Sequence, residues 1–436
     1  MRMNVLGTVV SAVKSLRLSF ILPAMLVGLA VLGSTAVGVI GYFNAEAGLV
    51  RASRSELATL AKARSDLLQD RLRKVTGDLD SLATSAGAQI ALTDMAGIFT
   101  LLTVDIPAAK QFFGPEDSSA ADRAALTGEG SKTMYGFRHE AMHGSFASVW
   151  RNAGYGEIYI VDAAGNIVYS VTKSADFLLT AAEGGLTGGL AEAVASAGTA
   201  PIGEPVVTSF GPYEHAGNMP AIFVAQAVPS APVTDTPAGF VVIRLDASFF
   251  DNVLAAREGL GETGQTYLVG SDGLVLSDKP LAEASTALSE SVDDASILAA
   301  ARDGVAGEGR YVTPQGAEVL AAAVPMQFLD ARWAVFAERS VGESLAAVDA
   351  MRSAMLLGTL VVVILATIVG VLFAGAVTRP ITRFTRTMPP IADGNNDAAV
   401  PDLDKGNEAG EMARAVEVFR QNGLKITEMT EGERAA

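Results

Sequence analysis

Two long stretches of this sequence carry no charge. Residues 18–45 read LSFILPAMLVGLAVLGSTAVGVIGYFNA, and residues 353–378 read SAMLLGTLVVVILATIVGVLFAGAVT. Each exceeds the roughly 20 residues that a helix needs to cross a bilayer. They constrain the fold more than anything else in the chain, because the residues between them must fold as a unit tethered at both ends. Ala45-Glu46-Ala47 has the small-x-small form of a signal-cleavage site. The apolar run before it is far longer than the roughly 7–15 residues of a secretory signal, which predicts an uncleaved helix. The expected spans are 18–43 and 353–377.

The flanks set an orientation. Arg2, Lys14 and Arg17 precede the first span with no acid until Glu46; Arg379, Arg383 and Arg386 follow the second with no acid until Asp393. Basic flanks stay on the cytoplasmic side. This predicts a cytoplasmic N-terminus over 1–17, an outer segment over 44–352 and a second cytoplasmic segment from 378. In a bacterium that is a multi-pass inner-membrane protein with its large domain in the periplasm. The net charge of −16 argues against nucleic acid as a partner, since a phosphate backbone needs a basic face. Cysteine is absent, which excludes disulfides, thiol nucleophiles and Cys-zinc sites.

The outer segment repeats itself. One unit opens with EIYIVDAAGNIVYSV (157–171) and continues through PVVTSF (205–210), PAIFVAQAV (220–228) and GFVVIRLD (239–246) to a helical DASFFDNVLAAR. The other opens with QTYLVGSDGLVLSD (265–278) and continues through RYVTPQ (310–315), EVLAAAVPM (318–326) and ARWAVFAERS (331–340). Each opening reads as two short strands around a polar turn, DAAGN or SDG, whose Asp, Gly and Asn suit positive φ. Three further strands and a helix then follow in each copy. Ahead of them Leu57, Leu60, Leu67, Leu68, Leu72, Leu79 and Leu82 recur at helical spacing, predicting a long helix rising from the first span. Shorter helices, broken at Pro107, Pro115 and EDSSAADR, are expected up to about residue 151.

Taken together, YGEIYIVDAAGNIVYSVTKSADF and GLGETGQTYLVGSDGLVLSD resemble the two module entrances of a double Cache sensor domain, as in methyl-accepting chemotaxis proteins. The resemblance covers most of residues 46–345. It implies an α+β membrane protein with a helical stalk (46–151) and two tandem PAS-like modules, one distal to the membrane (152–258) and one proximal (259–345).

The last segment carries a second resemblance. TRPITRFTRTMPPIADG places Ile381, Phe384, Met388 and Ile391 at 3-4-3 spacing, with Pro380 in the first turn. After the connector NNDAAVPDLDKGN, which Gly394 precedes, EAGEMARAVEVFRQN gives Met412, Val416 and Phe419 on one stripe. Two amphipathic helices of this kind after a span resemble a HAMP linker (378–424, with a tail over 425–436). That resemblance implies a homodimer joined as a parallel four-helix bundle. Pro389-Pro390 departs from the pattern and predicts a break before Ile391.

Two motifs point elsewhere. HEAMH, residues 139–143, matches the zincin signature and raises the alternative of a membrane-anchored zinc peptidase with Glu140 as base. Phe146 and Val149 stand where the extended signature needs Gly and His. The next acid, Glu157, opens a strand, and the one other histidine is His215. His143, Phe146 and Trp150 instead form an i, i+3, i+7 packing stripe. GLGETG (259–264) matches GxGxxG but follows a helix and opens a strand, the reverse of a dinucleotide site. No metal, cofactor or catalytic residue is assigned, and the chain is not expected to be an enzyme.

The expected function is signal transduction by a chemotaxis-type receptor for a small extracellular molecule. Candidate ligand-binding residues are Tyr169, Lys173, Asp176 and Phe177 at a strand exit, with Phe210 and Tyr213 from SFGPYEH. An aromatic wall with one cation and one carboxylate suits an amino acid, amine or organic acid. The second module is expected to transmit motion. The sequence ends shortly after Phe419 without a signalling hairpin, so a truncated receptor or one acting through a cytoplasmic partner is expected.

Overall fold

The computed structural model describes residues 18–101, 104–114, 118–230, 236–393, 395 and 398–435. Arg2, Lys14, Arg17, Pro115 and Gly394 lie outside the described residues, as do the whole of 1–17 and Ala436 at the end of the tail. The chain divides into two compact units, Gly48–Leu345 and the pair Met1–Ala47 with Ala346–Ala436.

In the larger unit the long helix α1 (Leu18–Ala83) buries Leu57, Ala61, Leu68, Leu72, Val75, Leu79 and Leu82 on one stripe, while Leu67 points outward. The stripe repeats every three or four residues, so it stays on one face of a 3.6-residue helix. Polar bonds tie α1 to both modules: Gln226 donates to Asp80 (3.1 Å), and Arg339 pairs with Glu56 (2.8 Å). A run of short helices follows, including α2 (Asp105–Phe113) and α3 (Ala120–Ala125), and then α4 (Met134–Ala153), capped by Thr133 and closed by Gly154 in the left-handed region.

The first module is a six-stranded antiparallel sheet of β1 (Glu157–Asp162), β2 (Ile167–Ser170), β3 (Val206–Val207), β4 (Gly211–Tyr213), β5 (Met219–Pro229) and β6 (Pro237–Asp246). The order is β2-β1-β6-β5-β3, with β4 also on β5. Helix α5 (Gly188–Thr199) covers one face, and α6 (Ala247–Leu254) follows β6. Strand alternation divides the core. Tyr159, Val161, Phe223 and Val242 pack toward α5, whereas Ile158, Ile160, Val224 and Ile243 join the core shared with α1 and α4. The β1–β2 turn works as its residues require. Gly165 has φ +86°, and Asp162 Oδ1 accepts from the backbone of Ala164 and Asn166.

The second module is a four-stranded antiparallel sheet, β7 (Gln265–Gly270), β8 (Gly307–Val312), β9 (Glu318–Phe328) and β10 (Ala331–Ser340), in the order β7-β10-β9-β8, with α7 (Ala295–Asp303) against it. Its opening differs from the expected pair of strands. After the turn at Gly273, Val275 and Leu274 make only isolated bridges, to Val269 and Ser291. Leu274 is drawn to the 286–292 segment, and a continuous second strand does not form.

The smaller unit contains the apolar parts of α1 and of α8 (Val341–Ala392), two helices long and apolar enough to cross a membrane. A Cβ on Gly370 would come within 3.1 Å of Pro23 Cα, so this small residue sets how closely the two apolar helices approach. α8 runs through Pro380 and ends at Ala392, past Pro389-Pro390 rather than before Ile391. The break falls two residues later than expected, where Asp393 and Asn395 bond back to the carbonyls of Pro389 and Pro390. Helix α9 (Glu408–Ala435) then packs on α8: Phe384, Ile391, Val400, Ala413 and Val416 form one small buried cluster. Ile381, Met388, Met412 and Phe419 remain exposed.

Candidate functional site

The six residues singled out from the sequence do not line one pocket. A register shift between Ile160 and Val161 leaves Val168 unpaired, so both Val168 and Tyr169 face the helical core. There the Tyr169 hydroxyl bonds His143 Nδ1 at 2.7 Å, and Phe146 packs on its ring. Tyr213 lies on the other face of the sheet, with Tyr159 and Phe223. Phe210 belongs to neither group. It packs on Phe250 and Trp333 (ring centroids 5.3 and 5.8 Å apart) and lines a groove of about 420 Å³ with Gly270, Asp272 and Leu274 of the second module.

The segment after β2 wraps the sheet edge and sends one charge to each face. Lys173 (φ +47°) and Leu178 (φ +58°) both adopt left-handed backbone without being glycine. Each such position costs about 1–2 kcal/mol, so the surrounding structure holds it in place. Glu157 supplies part of that hold, accepting from the backbone of Val171 and Thr172 and from the Thr172 hydroxyl. Burial pushes the Glu157 carboxyl up to about 7, against the pull of Arg244 and Thr172.

On the helical side Lys173 is buried. Its ammonium donates to the carbonyls of Arg123 (2.9 Å) and Leu126 (3.1 Å) and stands over the Phe113 ring. Phe177 packs edge-on against Phe113 and Tyr135. Burial brings the Lys173 ammonium down to about 7, partly offset by Glu157. His139 and His143 stack at 4.4 Å in this same region. His143 is neutral: Nε2 donates to the Ala124 carbonyl (2.7 Å), and Nδ1 accepts from Tyr169. Burial, then the neighbouring Lys173 charge, lower His143 to about 4. His139 Nδ1 bonds the Thr127 carbonyl at 2.6 Å. Glu140 is exposed. The histidines of HEAMH therefore serve as hydrogen-bonded packing, and among the described residues no group of three His, Asp or Glu side chains is placed to hold a metal.

On the α5 side Asp176 is fully buried. Its Oδ2 accepts from both Tyr159 (2.7 Å) and Tyr213 (2.8 Å), while its Oδ1, also buried, has no hydrogen-bond partner. Arg244 completes the group, donating to Tyr159 (3.1 Å) and Asp246 (2.8 Å). Burial opposes the Arg244 charge, but Tyr159, Asp246 and Glu157 outweigh it and hold the guanidinium above its ordinary range. Tyr159 and Arg244 were not singled out from the sequence. One signal was available: Arg244 is a lone cation inside the otherwise apolar strand GFVVIRLD, and such a buried charge needs a specific partner. Chemically, the group leaves one buried carboxylate oxygen of Asp176 without a hydrogen-bond partner, beside two phenols and a guanidinium.

No protein-family model matches the chain. Over 409 residues, 93% of its length, the chain is 24% identical to a probable chemoreceptor from Sinorhizobium fredii. It spans about half, 51%, of that relative's length. Among solved structures, it is similar to the periplasmic sensory domain of a Campylobacter jejuni chemoreceptor (15% identity, TM-score 0.42, covering 68% of this chain and 98% of that one). It is also similar to the ligand-binding domain of a Pseudomonas aeruginosa amino acid chemoreceptor in complex with GABA (13% identity, TM-score 0.40, covering 66% and 100%).

Proposed function

We propose that this chain is a transmembrane sensory receptor of the chemotaxis type. It sits in a bacterial inner membrane with residues 44–352 outside. It binds a small ammonium-bearing molecule in the first module and passes a change in conformation through the second span to a HAMP-like segment over 378–424. The observation that carries this reading is the similarity to a probable chemoreceptor along 93% of the chain. The repeated antiparallel modules and two apolar helices agree with it. Nothing favours the peptidase alternative, since His143 uses both ring nitrogens and Glu140 faces away from them.

The ligand anchor is Asp176 Oδ1, flanked by Tyr159, Tyr213 and Arg244. Arg244 is already paired with Asp246, so the anchor selects for an ammonium and suits amino acids and simple amines alike. A homodimer joined through the exposed residues of α8 and α9 carries the signal to a cytoplasmic partner or output domain.

The test is a thermal-unfolding screen of the full chain in detergent micelles against amino acids, amines and organic acids. A ligand present at about 100 times its Kd adds roughly 2.7 kcal/mol of stability. An ammonium-bearing hit whose stabilisation disappears in Asp176→Asn supports the reading. Hits that ignore this change, or that are all plain anions, overturn the site.

A further inference from the structure

The second module has a cavity of its own, of about 650 Å³, on the sheet face where Tyr267 and Tyr311 meet. Gln265, Lys279, Thr286, Glu290, Gln315 and Glu338 supply most of its polar lining. Its size is ordinary for a small-molecule site. Its charges are arranged in an informative way.

Glu338 is a buried carboxylate at 2% exposure. Its Oε1 accepts from Gln265 (2.7 Å), and its Oε2 accepts from Tyr267 (2.7 Å) and from Tyr311. All three donors are neutral. Among the described residues no cation stands within ion-pair distance of Glu338. Lys279 is committed elsewhere, 2.8 Å from Glu290 and 4.6 Å from the centre of the Tyr267 ring. Glu290 also accepts from Gln315 at 2.7 Å. The Lys279 charge is therefore neutralised locally, and the negative charge of Glu338 is not. A carboxylate offers about four lone-pair positions, and three of these are used. A buried, uncompensated anion with one acceptor position open onto a cavity favours a cation there.

The first module shows the same parts with the polarity reversed. There too, two tyrosines clamp one carboxylate. The carboxylate, Asp176, comes from the segment after β2, and the cation, Arg244, from the last strand. In the second module the carboxylate, Glu338, comes from the last strand, and the cation, Lys279, from the segment after the opening turn. Arg244 pairs across with the first residue of β1 and Glu338 with the first residue of β7, so the two are equivalent in register. The two modules thus place the same kinds of group at equivalent positions, with the charges exchanged.

We propose that the second module holds a separate ligand site, for a small organic cation bearing a primary ammonium. Glu338 is the counter-charge, and Tyr267 and Tyr311 orient it. Lys279 and Glu290 stand at the side of the cavity as a closed pair that gives an anion no free cation. The site depends neither on the first-module anchor nor on the direction of signalling.

The test uses the full chain in detergent micelles, in phosphate buffer free of amine buffers. Calorimetric titration and thermal unfolding are run with butylamine, and with butanol and butyrate as neutral and anionic controls of equal length. Asp176→Asn is made first, so that an amine in the first module is not counted. In that background butylamine binds and raises the melting temperature, and butanol and butyrate do not. Glu338→Gln keeps the size and acceptor oxygen but removes the charge, and weakens binding about tenfold or more. Should Glu338→Gln fail to fold, Ala284→Trp at the exposed cavity rim decides, by blocking entry without touching the carboxylate. Absence of butylamine binding at millimolar concentration overturns the proposal. Equal binding of butanol or butyrate, or binding that survives the Glu338 and Ala284 changes, does so as well. Loss of binding on Asp176→Asn alone, with Glu338→Gln silent, places the amine in the first module only.

Discussion

Arg244 and Glu338 hold one register position in two sheets. Arg244 stands opposite Glu157 at the start of β1, and Glu338 stands opposite Gln265 at the start of β7. In both modules the neighbouring phenols, Tyr159 and Tyr267, follow two residues later on the same face of the opening strand. The sheet therefore fixes where a charge must be compensated, and the side chains decide its sign.

The consequence for Arg244 is direct. It is buried with Glu157 and Asp246 around it, and it reaches Asp176 through the Tyr159 hydroxyl. Arg244→Met leaves those carboxylates without their cation, and the loss is about 3–5 kcal/mol. Chemical denaturation of the full chain in detergent, followed by far-UV circular dichroism, measures it. A loss under about 1 kcal/mol means the network is not organised around this guanidinium.

HEAMH gives a contrast between neighbours. Glu140 is exposed, and Glu140→Ala should change stability by no more than about 0.5 kcal/mol. His143→Ala removes a buried ring and leaves the Tyr169 hydroxyl and the Ala124 carbonyl without partners. Its expected cost is about 2–4 kcal/mol. Comparable effects at the two positions, or zinc retained at one per chain, contradict the packing role.

Lys173 makes a prediction about pH. Its folded value is about 7 and its ordinary value 10.5. Between these the unfolded chain binds the extra proton, so stability rises with pH across this window and falls as pH drops toward 7. Below 7 the picture is mixed. Glu157, raised to about 7, favours the folded state at the acid end of its own window, and His143, lowered to about 4, disfavours it there. The clean interval therefore lies above neutrality. Melting temperature measured between about pH 7.5 and pH 9 should climb in the natural chain and stay nearly flat in Lys173→Met. Equal slopes in the two would remove Lys173 as the cause.

The opening of the first module was readable because alternating apolar residues and an Asp–Gly turn leave few alternatives, whereas in the second module only the first strand of the expected pair formed. Tyr159, Ile160 and Val161 took the expected strand, and Gly165 took the positive φ its turn needs. The composition of the site was not readable in the same way. A single bulge at Ile160/Val161 turns Tyr169 to the face opposite Tyr213, and one-residue shifts of this kind leave no trace in local periodicity. Phe210 was separated from its sequence neighbour Tyr213 by a partner far along the chain, Trp333. Arg244 and Tyr159 entered the site through pairing across the sheet, which spacing along one strand does not encode. Helix α8 carries Pro389 and Pro390 in its final turn and stops two residues after them; each proline removes the bond to the carbonyl four residues back, so the helix ends here, slightly later than the sequence suggests.

The final helices settle how the expected stripes are used. Phe384 and Ile391 are buried within the chain against Ala413 and Val416, so half of the apolar pattern is satisfied by one copy. Ile381, Met388, Met412 and Phe419 stay exposed, and each left in water forgoes roughly 1.5–3 kcal/mol. Two chains side by side would bury both sets in a four-helix bundle, as the proposed receptor dimer requires. The chain has no cysteine of its own, so single-cysteine probes report without background. In native membranes, cysteine at Met388 or Phe419 should crosslink between chains rapidly. Cysteine at Phe384, already enclosed within its own chain, should crosslink slowly, and so should cysteine at Arg386 on the outer surface. Ligand addition should change the Met388 and Phe419 rates, because a signal that passes this segment must alter how the two copies pack. Equal rates at all four positions would show that the exposed stripe is not a dimer seam, and the route from outer modules to cytoplasm would have to be sought within a single chain.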